Sequence, residues 1–146
     1  PGDLDYIHSV ERISKLSNVI SINGGVQLDL MGQENAESTG TRQLSGVGGQ
    51  MDFLEGAYRS KGGKGFICIN SSRVTKDGER KSNILATIPG GSTISAPRTM
   101  IQYVATEYGI ASLSGKTLRE RAEAMASIAH PDFREELMKY ARENFK

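Results

Sequence analysis

The sequence has few of the residues that build metal centres or covalent cross-links. Its 146 residues include no tryptophan, a single cysteine, Cys68, and only two histidines, His8 and His130. One cysteine cannot form a disulfide within the chain, and neither histidine stands beside cysteines or carboxylates at metal-ligand spacing. Cys68 lies in the apolar run GFICIN, which is typical of a buried small hydrophobic residue rather than a nucleophile. We therefore predict no metal site, and the cysteine usage fits a reducing cytoplasm.

Strong charge asymmetry and long apolar runs are also missing. The 18 basic and 17 acidic residues are interspersed and give a formal charge of +1, so no nucleic-acid surface is indicated. No apolar run approaches the length of a transmembrane helix, and no signal peptide opens the chain. We expect a cytoplasmic protein of one domain, with neither nucleic acid nor a membrane as a partner. Because the chain begins at Pro1 without an initiator methionine, we interpret it as a processed protein or a piece of a longer one.

Glycine, in contrast, is abundant, and the most informative of the 17 glycines lie in residues 44–58, LSGVGGQMDFLEGAY. Gly46, Gly48 and Gly49 form a loop nearly free of side chains, and an amphipathic helical pattern follows directly. Such a loop lets backbone N–H groups approach a ligand closely, while the helix N-terminus adds partial positive charge. The pattern favours an oxyanion, a carboxylate or a phosphate as the ligand. A tight structural turn explains the glycines equally well, because GVGGQ matches neither the GxGxxG fingerprint nor the P-loop.

Around this motif, short strands and helices alternate, which predicts an α/β fold with an open sheet of mixed strands flanked by helices. The elements expected before and within the motif are a short helix within residues 1–17, then two strands over 19–22 and 26–30, either paired as a hairpin or separate. A polar loop and a helix over 50–59 follow. The elements expected after it are a strand at FICIN, a charged hairpin-like connection over 71–81, strands over 83–88 and 103–106, and two helices from residue 117 onward.

Two helix starts carry local signals. Thr117 and Glu120 have the spacing of a capping box at the first of the two closing helices. His130 directly precedes Pro131 at the start of the second, where a capping role is favoured over catalysis.

Few side chains are candidates for chemistry. Neither a GxSxG elbow nor a cysteine–histidine pair is present to indicate a hydrolytic nucleophile. We interpret Glu34 and Glu37 as solvated loop residues, and Arg98 with Glu107 as a structural ion pair. The residues alone therefore predict an anion-binding loop without a nucleophile.

Five ordered blocks of the sequence carry a family resemblance over residues 18–137: INGGVQLDLMGQ, GVGGQMDFLEGA, SKGGK, TEYGIASLSGKTLRERA and IAHPDFREEL. Together they resemble the C-terminal part of the acetyl-CoA hydrolase/transferase family, which includes 4-hydroxybutyrate, butyrate and succinate CoA-transferases. Members are α/β proteins built from two similar halves. The resemblance implies that residues 1–146 form a C-terminal CoA-transferase domain, a fragment of a longer two-domain chain.

The resemblance also implies a chemistry for the glycine motif. In the family a glutamate attacks an acyl-CoA thioester, and the coenzyme A then moves to a short carboxylic acid through a glutamyl-CoA thioester. Gly48 and Gly49 match the position of backbone oxyanion donors, while Ser45, Gly46, Gly49 and Lys76 match positions that contact coenzyme A. Coenzyme A or acyl-CoA is then a substrate, and no permanently bound cofactor is expected.

One departure from the family pattern limits the activity that we expect. The nucleophilic glutamate of the family lies well upstream of the INGG block, so it should be absent from this chain. We therefore expect the chain alone to be inactive, with the N-terminal half of the same enzyme as its partner and a homo-oligomer as its assembly. An acyl-CoA hydrolase of the same family and a non-catalytic CoA-binding module are the alternatives, and the acceptor acid stays open.

Overall fold

The computed structural model describes residues 2–146 as an α/β fold with five helices and eleven short strands in those residues. The helices are α1 (Leu4–Ile7), α2 (Val10–Lys15), α3 (Gln50–Arg59), α4 (Leu118–Ser127) and α5 (Pro131–Asn144). The strands are β1 (Ile20–Gly24), β2 (Gln27–Asp29), β3 (Glu34–Asn35), β4 (Ser38–Thr39), β5 (Arg42–Gln43), β6 (Lys64–Cys68), β7 (Ser72–Val74), β8 (Arg80–Ser82), β9 (Ile84–Leu85), β10 (Tyr103–Thr106) and β11 (Gly109–Ser112). The predicted fold class is confirmed.

The central element is a four-stranded sheet in the order β1-β6-β10-β11. The first three strands are parallel, and β11 returns antiparallel to β10 at the edge. Helices α3 and α4 contact this sheet, and α5 packs on α4. Ile67, Val104 and Ala111 stand in one row across the sheet and are buried on the side of the helices. The core of the molecule therefore lies between one face of the sheet and the helical layer.

A second, smaller sheet of order β3-β2-β9 lies beside the first and is mostly polar. The two strands expected over residues 19–22 and 26–30 form as β1 and β2, but they do not pair as a hairpin, because they belong to different sheets. The chain crosses between them at Gly25, whose N–H donates to the Cys68 carbonyl at 3.2 Å. A Cβ at Gly25 would stand 2.7 Å from Glu34 Oε1 and 2.9 Å from the Ile69 side chain, so only glycine fits at this position.

Most of the remaining predicted elements are confirmed. The helix over 50–59, the strand Tyr103–Thr106, the charged β7–β8 hairpin and the two closing helices all form. Both bonds of the Thr117–Glu120 capping box are present, and the His130 side chain accepts from the Asp132 N–H at the start of α5.

Three expectations need correction. The segment before Ser17 forms two helices rather than one, because the Ser9 side chain accepts a hydrogen bond from the Arg12 N–H and starts α2. The strand expected over 83–88 shortens to the two residues of β9, and β11 was not expected. The Arg98–Glu107 ion pair is not found among the described residues, because Glu107 instead accepts hydrogen bonds from the Ser71 N–H and hydroxyl at 2.9 and 2.6 Å.

Arg121 of α4 connects three separate parts of the chain to the helical layer. Its guanidinium is buried and donates to the carbonyls of Met31, Leu113 and Arg98, each at 2.8 Å. Met31 follows β2, Leu113 follows β11 and Arg98 precedes β10. All three carbonyls therefore lie outside the strands, without a strand partner. The planar guanidinium holds all three in place at once.

Replacement of Arg121 by lysine should therefore destabilise the fold. An ammonium group lacks the fork geometry that reaches three carbonyls, and each buried carbonyl left unpaired costs about 1–3 kcal/mol. We expect Arg121→Lys to lower the free energy of unfolding by roughly 2–4 kcal/mol in urea titration. Arg119→Lys is the matched control, because Arg119 is exposed and its ion pair among residues 2–146 is with Glu123 alone, and it should change stability by less than about 0.5 kcal/mol. Equal effects of the two substitutions would contradict this role of Arg121.

Candidate functional site

The glycine loop, residues 44–49, is held at its first end by Glu37 and Gln43. The Glu37 carbonyl accepts hydrogen bonds from the N–H groups of Leu44 at 2.7 Å and Ser45 at 3.2 Å. The Gln43 side-chain amide donates to the Ser45 carbonyl at 2.6 Å. The loop therefore leaves β5 in a fixed direction.

At its second end the loop becomes the first turn of α3. Gly49 is the N-cap residue, and a Cβ there would collide with the His8 ring. His8 Nδ1 in turn lies 3.3 Å from an Asp52 carboxylate oxygen, and the His8 ring packs edge-on against Phe53. Glycine at position 49 thus allows the end of α1 to pack directly on the start of α3.

Between these two ends the loop is open to solvent. A Cβ at Gly46 or Gly48 would meet no atom within 4 Å, and Val47 is 83% exposed. Within residues 2–146, the N–H groups of Gly48 and Gly49 have no hydrogen-bond acceptor. These donors precede the N-terminus of a ten-residue helix, whose dipole favours a negative group at that end.

A cleft of about 240 Å³ adjoins the loop. Its lining comes from the loop, the start of α3, the β3–β4 turn and the segment before Ala96: Gly24, Ala36, Glu37, Ser45, Gly46, Val47, Gly48, Gln50, Met51 and Ser95. The structure thus brings together Ser45, Gly46 and Gly48 of the predicted site, with Gly49 next to them. Lys76 does not line the cleft and lies exposed at the tip of the β7–β8 hairpin.

Glu34 and Glu37 are not solvated loop residues, and this prediction was wrong. Glu34 is fully buried on β3, and Glu37 is only 8% exposed. The Gln50 side-chain amide donates to Glu34 Oε2, while Glu34 Oε1 has no hydrogen-bond partner among residues 2–146. Strand β3 is only two residues long, too short for a two-residue periodicity to be recognised, so the burial of Glu34 and of the turn that follows gave no signal in the sequence.

Two other residues of the cleft were not predicted from the sequence. Gln50 is the first helical residue after the glycine loop, and a search of helix N-termini for polar side chains would have found it. Ser95 has no local signal, because its place depends on a long-range contact in which its hydroxyl accepts from the Ala36 N–H at 2.9 Å.

The electrostatics of the cleft follow from these two carboxyl groups. The pKa of Glu34 is raised to about 7: burial is the largest cause, the hydrogen bond from Gln50 opposes it, and the nearby Glu37 charge adds to the rise. Glu34 therefore carries a proton for much of the time at neutral pH, which limits the negative charge near the loop. No lysine or arginine lines the cleft in the described residues. An anion bound there depends on backbone N–H groups and the α3 dipole.

Residues 2–146 hold neither a metal-ligand cluster nor a membrane-spanning helix. No three histidine, cysteine or acidic side chains there are placed to bind a metal ion together. The described helices include none with the length and apolar character needed to span a membrane.

Comparison with known proteins identifies relatives along nearly the whole chain. The model of the acetyl-CoA hydrolase/transferase C-terminal domain family matches residues 2–141. Butyryl-CoA:acetate CoA-transferase from Anaerostipes caccae is 47% identical over 94% of this chain and 31% of its own length. 4-Hydroxybutyrate coenzyme A transferase from Clostridium kluyveri is 48% identical over 97% of this chain and 32% of its own length.

A solved structure shares both sequence and fold with the chain. The crystal structure of RipA from Yersinia pestis superposes with a TM-score of 0.83 at 40% identity, over 95% of this chain and 30% of RipA. The chain thus spans about a third of the length of the relatives that it matches.

The buried Glu34 carboxyl predicts a pH dependence of stability. Its pKa in the folded protein, about 7, lies above the ordinary value of 4.5, so the folded state binds this proton more tightly than the unfolded chain does. The stability that the proton contributes is complete below pH 4.5 and is lost as the pH rises towards 7. Between about pH 5 and about pH 8, the free energy of unfolding should fall by about 2 kcal/mol more in the unchanged chain than in Glu34→Gln.

Urea titrations at both pH values measure this difference. Glu143→Gln serves as the control, because Glu143 is exposed on α5 and its substitution should leave the pH dependence unchanged. A Glu34→Gln chain that keeps the full pH dependence would show that another group is responsible.

Proposed function

The chain belongs to the acetyl-CoA hydrolase/transferase family, and from this premise we propose that residues 1–146 are the C-terminal domain of a longer CoA-transferase chain. One observation in the structure carries the proposal. The N–H groups of Gly48 and Gly49 lack acceptors among the described residues, and Gly48 lines a cleft at the start of α3. Such an arrangement suits a reaction in which negative charge develops on a carbonyl oxygen.

The reaction that we propose proceeds through acyl transfer to a glutamate outside these residues. The glutamate carboxylate attacks the thioester carbonyl of an acyl-CoA, and the C–S bond breaks to give an acyl-glutamyl anhydride and the CoA thiolate. The thiolate then attacks the glutamyl carbonyl, which releases the first carboxylic acid and leaves a glutamyl-CoA thioester. A second carboxylate takes the coenzyme A by the reverse steps. Each attack forms a tetrahedral oxyanion.

The residues of this chain serve these steps by binding and by charge stabilisation. We assign the oxyanion contact to the N–H groups of Gly48 and Gly49, because an oxygen at that position meets donors and the α3 dipole together. Ser45 and Gly46 line the same cleft, and we assign them to a contact with coenzyme A. Lys76 is exposed on its hairpin, and we assign it to a phosphate group of coenzyme A.

Transfer is preferred to hydrolysis on the basis of the relatives. The two curated relatives at 47% and 48% identity are both named as CoA-transferases. Hydrolysis differs only in that water, instead of an acid, attacks the glutamyl thioester, and the family includes both activities. The proposal places the enzyme in the cytoplasm as a homo-oligomer, with an acyl-CoA and a short carboxylic acid as substrates.

The oxyanion assignment is tested by two substitutions at Gly48 in the longer chain. Proline removes the N–H donor, and the loss of one oxyanion donor typically lowers catalysis by about 100–1000-fold. Alanine keeps the donor, and the structure has open space for its methyl group, so Gly48→Ala should retain more activity than Gly48→Pro. Gly90→Ala is the matched control, because it also adds a methyl group in open space, but away from the cleft. Transfer rates give the readout, and an unimpaired Gly48→Pro enzyme with normal thermal stability would refute the assignment.

The covalent step is tested by intact-mass spectrometry after brief incubation with acetyl-CoA and no acceptor acid. The longer chain should gain a hydroxylamine-sensitive CoA adduct on a glutamate that lies outside residues 1–146. The 146-residue chain alone should gain no adduct and should neither transfer nor hydrolyse acetyl-CoA. Binding of acetyl-CoA without an adduct in the longer chain would favour a non-catalytic CoA-binding module. Turnover by the 146-residue chain would refute the proposal that the nucleophilic glutamate lies outside it.

A further inference from the structure

The four-stranded sheet has helices on one face only. On the other face, the register across the strands brings together two rows of side chains: Ile22, Phe66, Tyr103 and Ser112 in one row, and Gly24, Cys68, Ala105 and Ile110 in the next. Ile20 and Lys64 begin a third row at the margin. We refer to these ten residues as the open sheet face.

The open sheet face is apolar and exposed. Ile22 is 70% exposed, Ile110 63% and Ile20 52%, although isoleucine is among the residues most often buried. Between them, the rings of Phe66 and Tyr103 stack with centroids 4.9 Å apart. Lys64, at the margin, is the one charged residue of the face as defined. A contiguous apolar surface of this kind marks a place where another polypeptide packs.

The rows on the opposite side show what a covered face of this sheet looks like. Ile67 and Val104 are fully buried there beneath the helices, and their neighbours in the same strands, Phe66 and Tyr103, are only partly buried. Parallel sheets occur almost only with helices on both faces. Since β1, β6 and β10 are parallel, we expect helices on both faces of the sheet, but residues 2–146 supply helices to one face only.

We infer that the open sheet face is the docking surface for a polypeptide segment of the longer chain that lies outside residues 1–146, and that this segment covers it with the apolar side of at least one helix. The inference rests on the proposed function, in which these residues are one domain of a longer chain. The relatives support this occupant, because about two-thirds of their length lies outside the part matched here. The near absence of charge on the face excludes a polar partner, and a helix with an acidic residue at the Lys64 margin fits best.

Cys68 lies within the open sheet face and is the only cysteine of the 146 residues. The reactivity of its thiol therefore shows whether another segment covers the face. The experiment compares maleimide labelling of the Cys68 peptide, measured by mass spectrometry, in the longer chain and in the 146-residue chain. In the longer chain, labelling should be at least about 10-fold slower, because a covered strand residue reacts only through local opening. Equal rates would overturn the inference. Protection that grows with the concentration of the short chain would identify a second copy as the occupant and would also overturn it.

A substitution in the longer chain gives a second test that does not depend on how well the short chain folds. Ile22→Asp places a carboxylate under the proposed cover, so it should lower the melting temperature by several degrees and speed Cys68 labelling by about 10-fold or more. Val74→Asp is the matched control, because Val74 is also an exposed β-branched strand residue, but it lies on the β7–β8 hairpin. If the two variants behave alike, the face is not covered.

The outcomes separate this inference from the proposed function. A CoA adduct on the longer chain together with fast Cys68 labelling would overturn the docking surface and leave the transferase intact. Slow Cys68 labelling without a CoA adduct would support the docking surface and overturn the transferase proposal.

Discussion

The site depends on one buried polar turn, residues 35–38, in which the Asn35 side chain replaces the missing strand partners. Its carbonyl oxygen accepts from the N–H groups of Glu37 and Ser38 at 3.0 and 2.9 Å, and its amide donates to the Ser38 carbonyl at 2.8 Å. Asn35 is fully buried, so these bonds are made away from water, where an unpaired group would be costly. The turn fixes Glu37, and the Glu37 carbonyl fixes the first residues of the glycine loop. The direction of the loop is therefore set by a side chain nine residues before it.

Glu34 shows how closely the two sheets are packed around this turn. Its Oε1 faces Gly25 at the crossing between the sheets, and only its Oε2 finds a partner, in Gln50. A buried carboxyl group with one unpaired oxygen is destabilising, and protonation is the simplest way for the fold to lessen that cost. Because Glu34 contacts both Gly25 and Gln50, the crossing between the two sheets and the start of α3 hold each other in position. Glu34 thus holds the end of the loop through Gln50, and Glu37 holds its beginning.

The elements that the sequence predicted well are those whose signals are local. Helix α3 follows a glycine loop with apolar residues at helical spacing, and the Thr117–Glu120 capping box and the His130 cap lie within three residues of the helices they start. The polar strands around Asn35 lacked any such signal. Strand β3 is two residues long and consists of glutamate and asparagine, which are typical of loops. Its burial arises from pairing with β2 and from a bridge between Glu34 and Ala96, far away along the chain. For the site, the sequence indicated Ser45 and the glycines. Gln50 is marked in the sequence only by its place at the start of α3, and Ser95 enters only through the folded geometry.

The contacts that shape the loop and those that complete the fold lie in different parts of the molecule. Glu37, Gln43 and His8 hold the glycine loop, and all three belong to the described residues, so its N–H donors are oriented without help from any other segment. Preorganised donors of this kind stabilise a developing charge without a reorganisation cost at the moment of reaction. The four-stranded sheet is different, because one of its faces presents isoleucine and aromatic rings to solvent. In the function that we propose, these residues bring preorganised donors to a site whose nucleophile lies elsewhere, and in the inference drawn from the open sheet face they depend on another segment for the burial of the sheet.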